Sequence, residues 1–131
     1  MYCVTRPEAG KRRLAQPVVH FEICGSNTSK ARDFYAKLFD WQITMWEGQD
    51  YGLVAAAGDK SIGGGIGPLM PGQQPSVLIY VLVDDLQEYL DKVTALGGKT
   101  IMPPSPIPGV GSMALFADPN GVTIGLFKPA M

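Results

Sequence analysis

Val18-Val19-His20-Phe21-Glu22-Ile23 and Val77-Leu78-Ile79-Tyr80-Val81-Leu82-Val83 are two β-branched and aromatic runs related by a shift of 58 residues. The same shift pairs Asn27 with Asp85, Ala31 with Tyr89, Tyr35 with Val93, Leu38 with Leu96 and Ile43 with Ile101. Chance similarity rarely preserves strand and helix registers together, so the repeat decides the architecture. In the first run, alternation places His20, Glu22 and Cys24 on one face and Val19, Phe21 and Ile23 on the other, the period of a strand. Asn27 then offers an N-cap, and Ala31, Phe34, Tyr35, Leu38 and Phe39 fall at the spacing of an amphipathic helix. Three short strands are expected over 41–46, 51–56 and 61–66, separated by Gly-containing turns.

The second run repeats this order. Asp84 and Asp85 supply capping oxygens, and Leu86, Tyr89, Leu90 and Val93 give a second amphipathic helix that ends at Gly97-Gly98. Strands follow over 100–102, 112–117 and 122–127, the last two joined by the turn Asp118-Pro119-Asn120-Gly121. Near the module ends the shift grows to 60 and pairs Ile62 with Val122, Gly65 with Gly125 and Ile66 with Leu126. The expected class is α+β: two βαβββ modules, 17–66 and 76–128, joined by the Gly/Pro-rich linker 67–75. Two such curved sheets set edge to edge make a cupped, half-open mixed β-barrel with its helices outside, and the cup is the natural ligand site.

Composition narrows the function. At 131 residues the chain is one domain, 17–131, preceded by a basic extension, 1–16, that carries Arg6, Lys11, Arg12 and Arg13. Lys+Arg 11 against Asp+Glu 12 gives no basic surface for nucleic acid or an anionic membrane, and neither is expected as a partner. Cys3 and Cys24 are too few for a disulfide framework and read as reduced thiols of a cytoplasmic protein. The single histidine excludes a His-rich zinc site within one chain. Ile62-Gly63-Gly64-Gly65-Ile66-Gly67 has no Lys-Ser/Thr after it and precedes no helix, so it is a close-packing strand rather than a phosphate loop. The proline-rich run 102–109 reads as an irregular, stiff rim loop. Asp33, Lys37, Glu47 and Asp50 read as solvated charges.

Over about 16–129 the chain resembles the vicinal oxygen chelate superfamily, which includes glyoxalase I, extradiol dioxygenases and the bleomycin and fosfomycin resistance proteins. The resemblance rests on His20 fourteen residues before Phe34-Tyr35, and on Phe34-Tyr35-Ala36-Lys37-Leu38-Phe39-Asp40-Trp41, which is similar to the family's helix ending in Phe-Gly-Trp. The segment from Val83-Asp84-Asp85 to Gly97-Gly98 and the Asp118-Pro119-Asn120-Gly121 turn complete it. In catalytic members a divalent metal is held by four side chains from the first and fourth strands of both modules. His20 stands at one of these positions, and Leu78, Gly65 and Gly125 at the other three. A mononuclear site generally needs about three protein ligands, so no metal and no cofactor are expected.

The resemblance therefore implies a metal-free small-molecule binding protein, with His20, Glu22, Leu78, Tyr80, Thr123, Gly125 and Phe127 facing the ligand. Tyr80 is expected to point towards Glu22, the bare Gly125 to widen the cup for a bulkier organic ligand, and Trp46, Met113 and Phe116 to stand near its rim or wall. The alternative is a lyase or isomerase of the glyoxalase type rather than a dioxygenase, with His20 and Glu22 as acid/base pair or partial metal site. The resemblance also implies a twofold homodimer.

Overall fold

The computed structural model describes residues 15–130; the expected basic extension, apart from residues 15 and 16, and Cys3 lie outside the described residues. The elements run β1 (Val18–Gly25), α1 (Thr28–Phe39), β2 (Ile43–Met45), β3 (Gly52–Val54), β4 (Gly63–Pro68), β5 (Ser76–Leu82), α2 (Leu86–Ala95), β6 (Lys99–Ile107), β7 (Gly111–Ala117) and β8 (Thr123–Pro129). Both helices start where their side-chain caps are. The Asn27 carboxamide oxygen accepts the Lys30 N–H at 3.0 Å, and the Asp85 carboxylate accepts the Glu88 N–H at 3.0 Å. α1 stops at Asp40, whose φ of 58° is left-handed, a conformation that Asp tolerates better than most residues. The turn before β8 is held by Asp118, whose carboxylate accepts the N–H groups of Asn120 and Val122, with Gly121 at φ 89°.

The eight strands form one mixed sheet in the order β2-β3-β4-β1-β5-β8-β7-β6. Read outward from its centre, each half runs first, fourth, third, second strand, with the first and fourth parallel. The halves meet through antiparallel pairing of β1 with β5, where His20 faces Tyr80, Phe21 faces Ile79 and Glu22 faces Leu78. The repeat seen in the sequence is thus a pseudo-twofold about the Phe21–Ile79 pair. The sheet does not close: β2 and β6 are its ends. No helix among the described residues is long and apolar enough to cross a membrane.

Two buried layers result. Beneath α2, Val83, Leu86, Leu90, Ala114 and Leu126 form one, joined by Val81, Tyr89 and Phe116. Inside the cup, Cys24, Leu78, Tyr80 and Leu115 form the other, with Leu69, Met102, Met113 and Phe127 against them. Phe116 thus belongs to the helix side rather than to the wall of the cup.

Three expectations are corrected. The proline-rich run 102–109 is not an irregular loop: β6 continues to Ile107, with register slips on either side of Met102. Proline removes a donor from the ladder, and β6 accommodates Pro103, Pro104 and Pro106 because it is an edge strand paired on one side only. The apolar stripe of α1 is only partly covered, since Phe34, Leu38 and Phe39 are more than half exposed. Trp41 fills the space over β1 instead, its ring 5.5 Å from Phe21 and 5.4 Å from Tyr35. Asp50 is not merely solvated, because its carboxylate accepts a 2.6 Å hydrogen bond from Thr28 Oγ1 and lies 3.3 Å from Arg32, tying the β2–β3 turn to α1.

Leu90 is 2% exposed beneath α2, whereas Leu96, past the helix end, is 78% exposed. Leu90→Ala should lower the unfolding free energy by about 2–5 kcal/mol, and Leu96→Ala by no more than about 0.5 kcal/mol. Urea denaturation measures both, and equal losses would contradict the packing described for α2.

Candidate functional site

At the centre of the cup, β1 presents His20, Glu22 and Cys24 on one face, and β5 presents Leu78 and Tyr80 beside them. Tyr51 reaches the same place from the turn between β2 and β3, which the Trp46 N–H closes by donating to the Tyr51 carbonyl at 2.9 Å. The Glu22 carboxylate collects three donors: Tyr51 Oη at 2.7 Å, Tyr80 Oη at 3.1 Å and Cys24 Sγ at 3.4 Å. His20 Nε2 lies 2.9 Å from Tyr51 Oη. A carboxylate can only accept, so the Tyr51 hydroxyl commits its proton to Glu22 and must accept from His20. That assigns the proton of the neutral imidazole to Nε2 and leaves Nδ1 as its basic nitrogen.

The environment keeps these protons in place. Burial lowers the His20 pKa from its ordinary 6.5, with the Glu22 charge opposing, so the ring is neutral at pH 7. Burial, reinforced by the Glu22 charge, pushes the Cys24 thiol up to about 12. The same two causes raise the Tyr51 and Tyr80 phenols well above their usual range. The result is one carboxylate ringed by protonated donors, with the imidazole feeding in through Tyr51. The expected approach of Tyr80 to Glu22 is present. Tyr51 was not singled out from the sequence; the Gly63-Gly64-Gly65 run signalled close packing there without indicating which side chain makes it.

The glycines explain how the tyrosines fit. A Cβ at Gly125 would collide with the Tyr80 ring, and a Cβ at Gly65 with the ring and hydroxyl of Tyr51. The expectation that Gly125 widens the cup is therefore corrected: Tyr80 occupies the space that the missing side chain leaves. Of the four positions that hold metal in the family resembled, His20 has Nε2 engaged by Tyr51, Leu78 is a buried apolar residue, and Gly65 and Gly125 lie under tyrosine rings. Among the described residues no three His, Cys, Asp or Glu side chains come together to hold a metal ion. This donor set does not fit a divalent metal centre.

A cavity of about 680 Å³ lies next to the cluster, where β5 and β8 begin. Leu78, which faces Glu22 in register, forms part of its wall together with Met102, Leu115 and Thr123. The linker supplies the other side as the turn Met70-Pro71-Gly72-Gln73, closed by the Gln73 N–H donating to the Met70 carbonyl at 2.9 Å, with Gly72 at φ 80°. Gln73 also braces this turn with its side chain, accepting from the Met70 N–H at 2.7 Å and donating to Ser76 Oγ at 3.2 Å. Of the residues expected to face a ligand, Leu78 and Thr123 line this cavity. His20, Glu22 and Tyr80 are joined in the hydrogen-bonded cluster beside it, Gly125 is covered by Tyr80, and Phe127 packs with Met113 against the buried cup layer. Trp46 stands edge-on to Tyr51 at 5.9 Å and backs that ring.

Comparison with known proteins gives this geometry a family. Residues 18–126 match the model of the Glyoxalase/Bleomycin resistance protein/Dioxygenase superfamily. The chain is 41% identical over 83 residues to the "Putative glyoxylase CFP32" of Mycobacterium tuberculosis, covering 63% of this chain and 31% of that protein. It is 29% identical to the anthracycline biosynthesis protein DnrV of Streptomyces peucetius, covering 82% of this chain and 45% of that one. It therefore spans less than half the length of these curated relatives. Among solved structures, methylmalonyl-CoA epimerase from Mycobacterium tuberculosis shares the fold with a TM-score of 0.64 at 15% identity, covering 95% of this chain and 97% of that one. With its sheet of two βαβββ halves and a family match over 18–126, the chain belongs to the Glyoxalase/Bleomycin resistance protein/Dioxygenase superfamily.

Proposed function

We propose that this chain binds an organic small molecule in the cavity between the 70–74 turn and the starts of β5 and β8, with no resident metal. The cavity carries the reading. Its volume of about 680 Å³ lies within the roughly 300–1,000 Å³ of small-molecule sites. Its walls belong to secondary structure and to a braced turn, so it is formed before a ligand arrives. The donor chemistry of the cup supports the metal-free part, because Glu22 already accepts from Tyr51, Tyr80 and Cys24.

One observation favours a second reading, proton transfer by an enzyme of the glyoxalase type: His20, Tyr51 and Glu22 form a continuous hydrogen-bonded path that ends in a neutral imidazole. The relative named as a glyoxylase points the same way. Binding is preferred because none of His20, Glu22 and Tyr51 lines the cavity.

Three measurements test these statements. Purified protein should contain less than about 0.1 equivalent of divalent metal by elemental analysis and melt at the same temperature after EDTA dialysis; stoichiometric, tightly held metal would overturn the donor argument. A thermal-shift screen with organic compounds should give saturable stabilisation, reaching about 2.7 kcal/mol at a hundredfold excess over Kd, whereas a flat response across a broad set contradicts binding. The third is stability against pH. The folded-state pKa of His20 lies below its unfolded value of 6.5, so in acid the unfolded chain holds a proton that the folded chain refuses. The stability due to a neutral His20 is complete above about pH 6.5 and drains away as pH falls. His20→Gln keeps an N–H for Tyr51 but cannot titrate, so its urea midpoint should fall less than that of the parent between about pH 7.5 and 5.5. Parallel curves would show that His20 is not held neutral by burial.

A further inference from the structure

The chemistry of the cavity wall goes further than the presence of a site. None of the described residues that line it is Asp, Glu, Lys, Arg or His. Its apolar lining includes Met70, Val77, Leu78, Ile101, Met102 and Val122. Its polar side chains are two carboxamides and two hydroxyls, those of Gln73, Gln74, Ser76 and Thr123. Gln73 is occupied at both ends, by the Met70 N–H and by Ser76 Oγ. Recognition of a ligand's polar group then falls to Gln74, Thr123 and the Ser76 hydroxyl, all neutral. The charges that border the lining residues are both compensated: Glu22, in register with Leu78, by its three donors, and Asp118 by the N–H groups of Asn120 and Val122.

We propose that this cavity selects an uncharged, mainly apolar compound of about two or three rings carrying a hydroxyl or carbonyl group, and discriminates against carboxylates, phosphates and ammonium ions of the same shape. This inference rests on the binding reading above and adds the charge class of the ligand. An anion entering the cavity gives up hydration and meets no cation, and an ammonium meets no carboxylate among the lining side chains, those of Glu22 and Asp118 being held by the protein's own donors, whereas a hydroxyl or carbonyl finds a matching amide or hydroxyl. Met70 and Met102 present thioethers that adapt to the face of a ring, and the braced Met70–Gln73 turn keeps the wall from collapsing when empty. Substrates built on a charged carrier, such as glutathione conjugates or acyl thioesters of coenzyme A, would have to leave that carrier wholly outside.

The test uses the full chain and three probes with one naphthalene body: 2-naphthol, 2-naphthoate and 2-naphthylmethylammonium, titrated at pH 7 by calorimetry with thermal shift as a second readout. 2-Naphthol is expected to bind about tenfold or more tightly than either ion, because each ion loses hydration without gaining a partner. Thr123→Trp, which fills the cavity, should abolish its binding. Gln74→Leu, at an exposed wall position, should weaken 2-naphthol by about five- to tenfold while leaving naphthalene itself within about twofold. Either ion binding as tightly as 2-naphthol overturns the charge selection and leaves the binding reading standing. Binding of 2-naphthol that neither variant changes overturns the location. If none of the three probes nor naphthalene binds a chain that melts cooperatively, the binding reading fails and this inference with it.

Discussion

A carboxylate turned into the concave face of a sheet must be surrounded by donors, because leaving it bare inside protein costs several kcal/mol. Glu22 is such a group, and much of the cup is arranged around it. Tyr80 reaches it from the neighbouring strand, Tyr51 from across the sheet and Cys24 from its own strand. Each donor in turn constrains something else. The Tyr51 ring lies flat only because Gly65 and Gly67 have no side chains, and the Tyr80 ring only because Gly125 has none. His20 is oriented because Tyr51 has already committed its proton. The glycines that look like losses when the chain is set beside metal-binding relatives are, physically, the seats of the two tyrosines.

This arrangement sets the division of labour in the cup. The middle, where the two halves meet, is filled and internally satisfied, so it has little capacity left to grip a ligand. The free volume lies to one side, beyond Leu78, and is walled partly by the linker between the halves. In a fold with two equivalent modules, the linker has no counterpart in the other half and the proline-bearing β6, nine residues long, runs well past its three-residue counterpart β2; both border this space. The asymmetry of the site comes from the segments that break the repeat.

The repeat was legible in the sequence because strand and helix periods survive as patterns of apolar residues, and the caps Asn27 and Asp85 mark the helix starts to the residue. Glu22 and Tyr80 could be placed face to face because they sit one pleat apart on paired strands. Tyr51 could not, since its approach to Gly65 depends on how a short hairpin folds over the sheet, which no local period records. The continuation of β6 beyond Met102 was missed for a related reason: proline reads as a breaker along the chain, and only position at the edge of a sheet makes it harmless. Partial exposure of the α1 stripe was hidden as well, because Trp41, outside the helix, took the covering role that spacing alone assigns to Phe34 and Leu38.

The ends of the open sheet bear on how such a molecule lives at high concentration. A half-barrel exposes two rows of backbone donors and acceptors that could template the strands of another chain. Here one end is a strand of three residues, and the other carries Pro103, Pro104 and Pro106 along a ladder that slips twice in register. Neither offers a long straight row of N–H groups to an incoming strand. The same prolines that disguised the later part of β6 as a loop thus act as a guard rail, allowing a cup to stay open to solvent without inviting fibrous assembly through its rims.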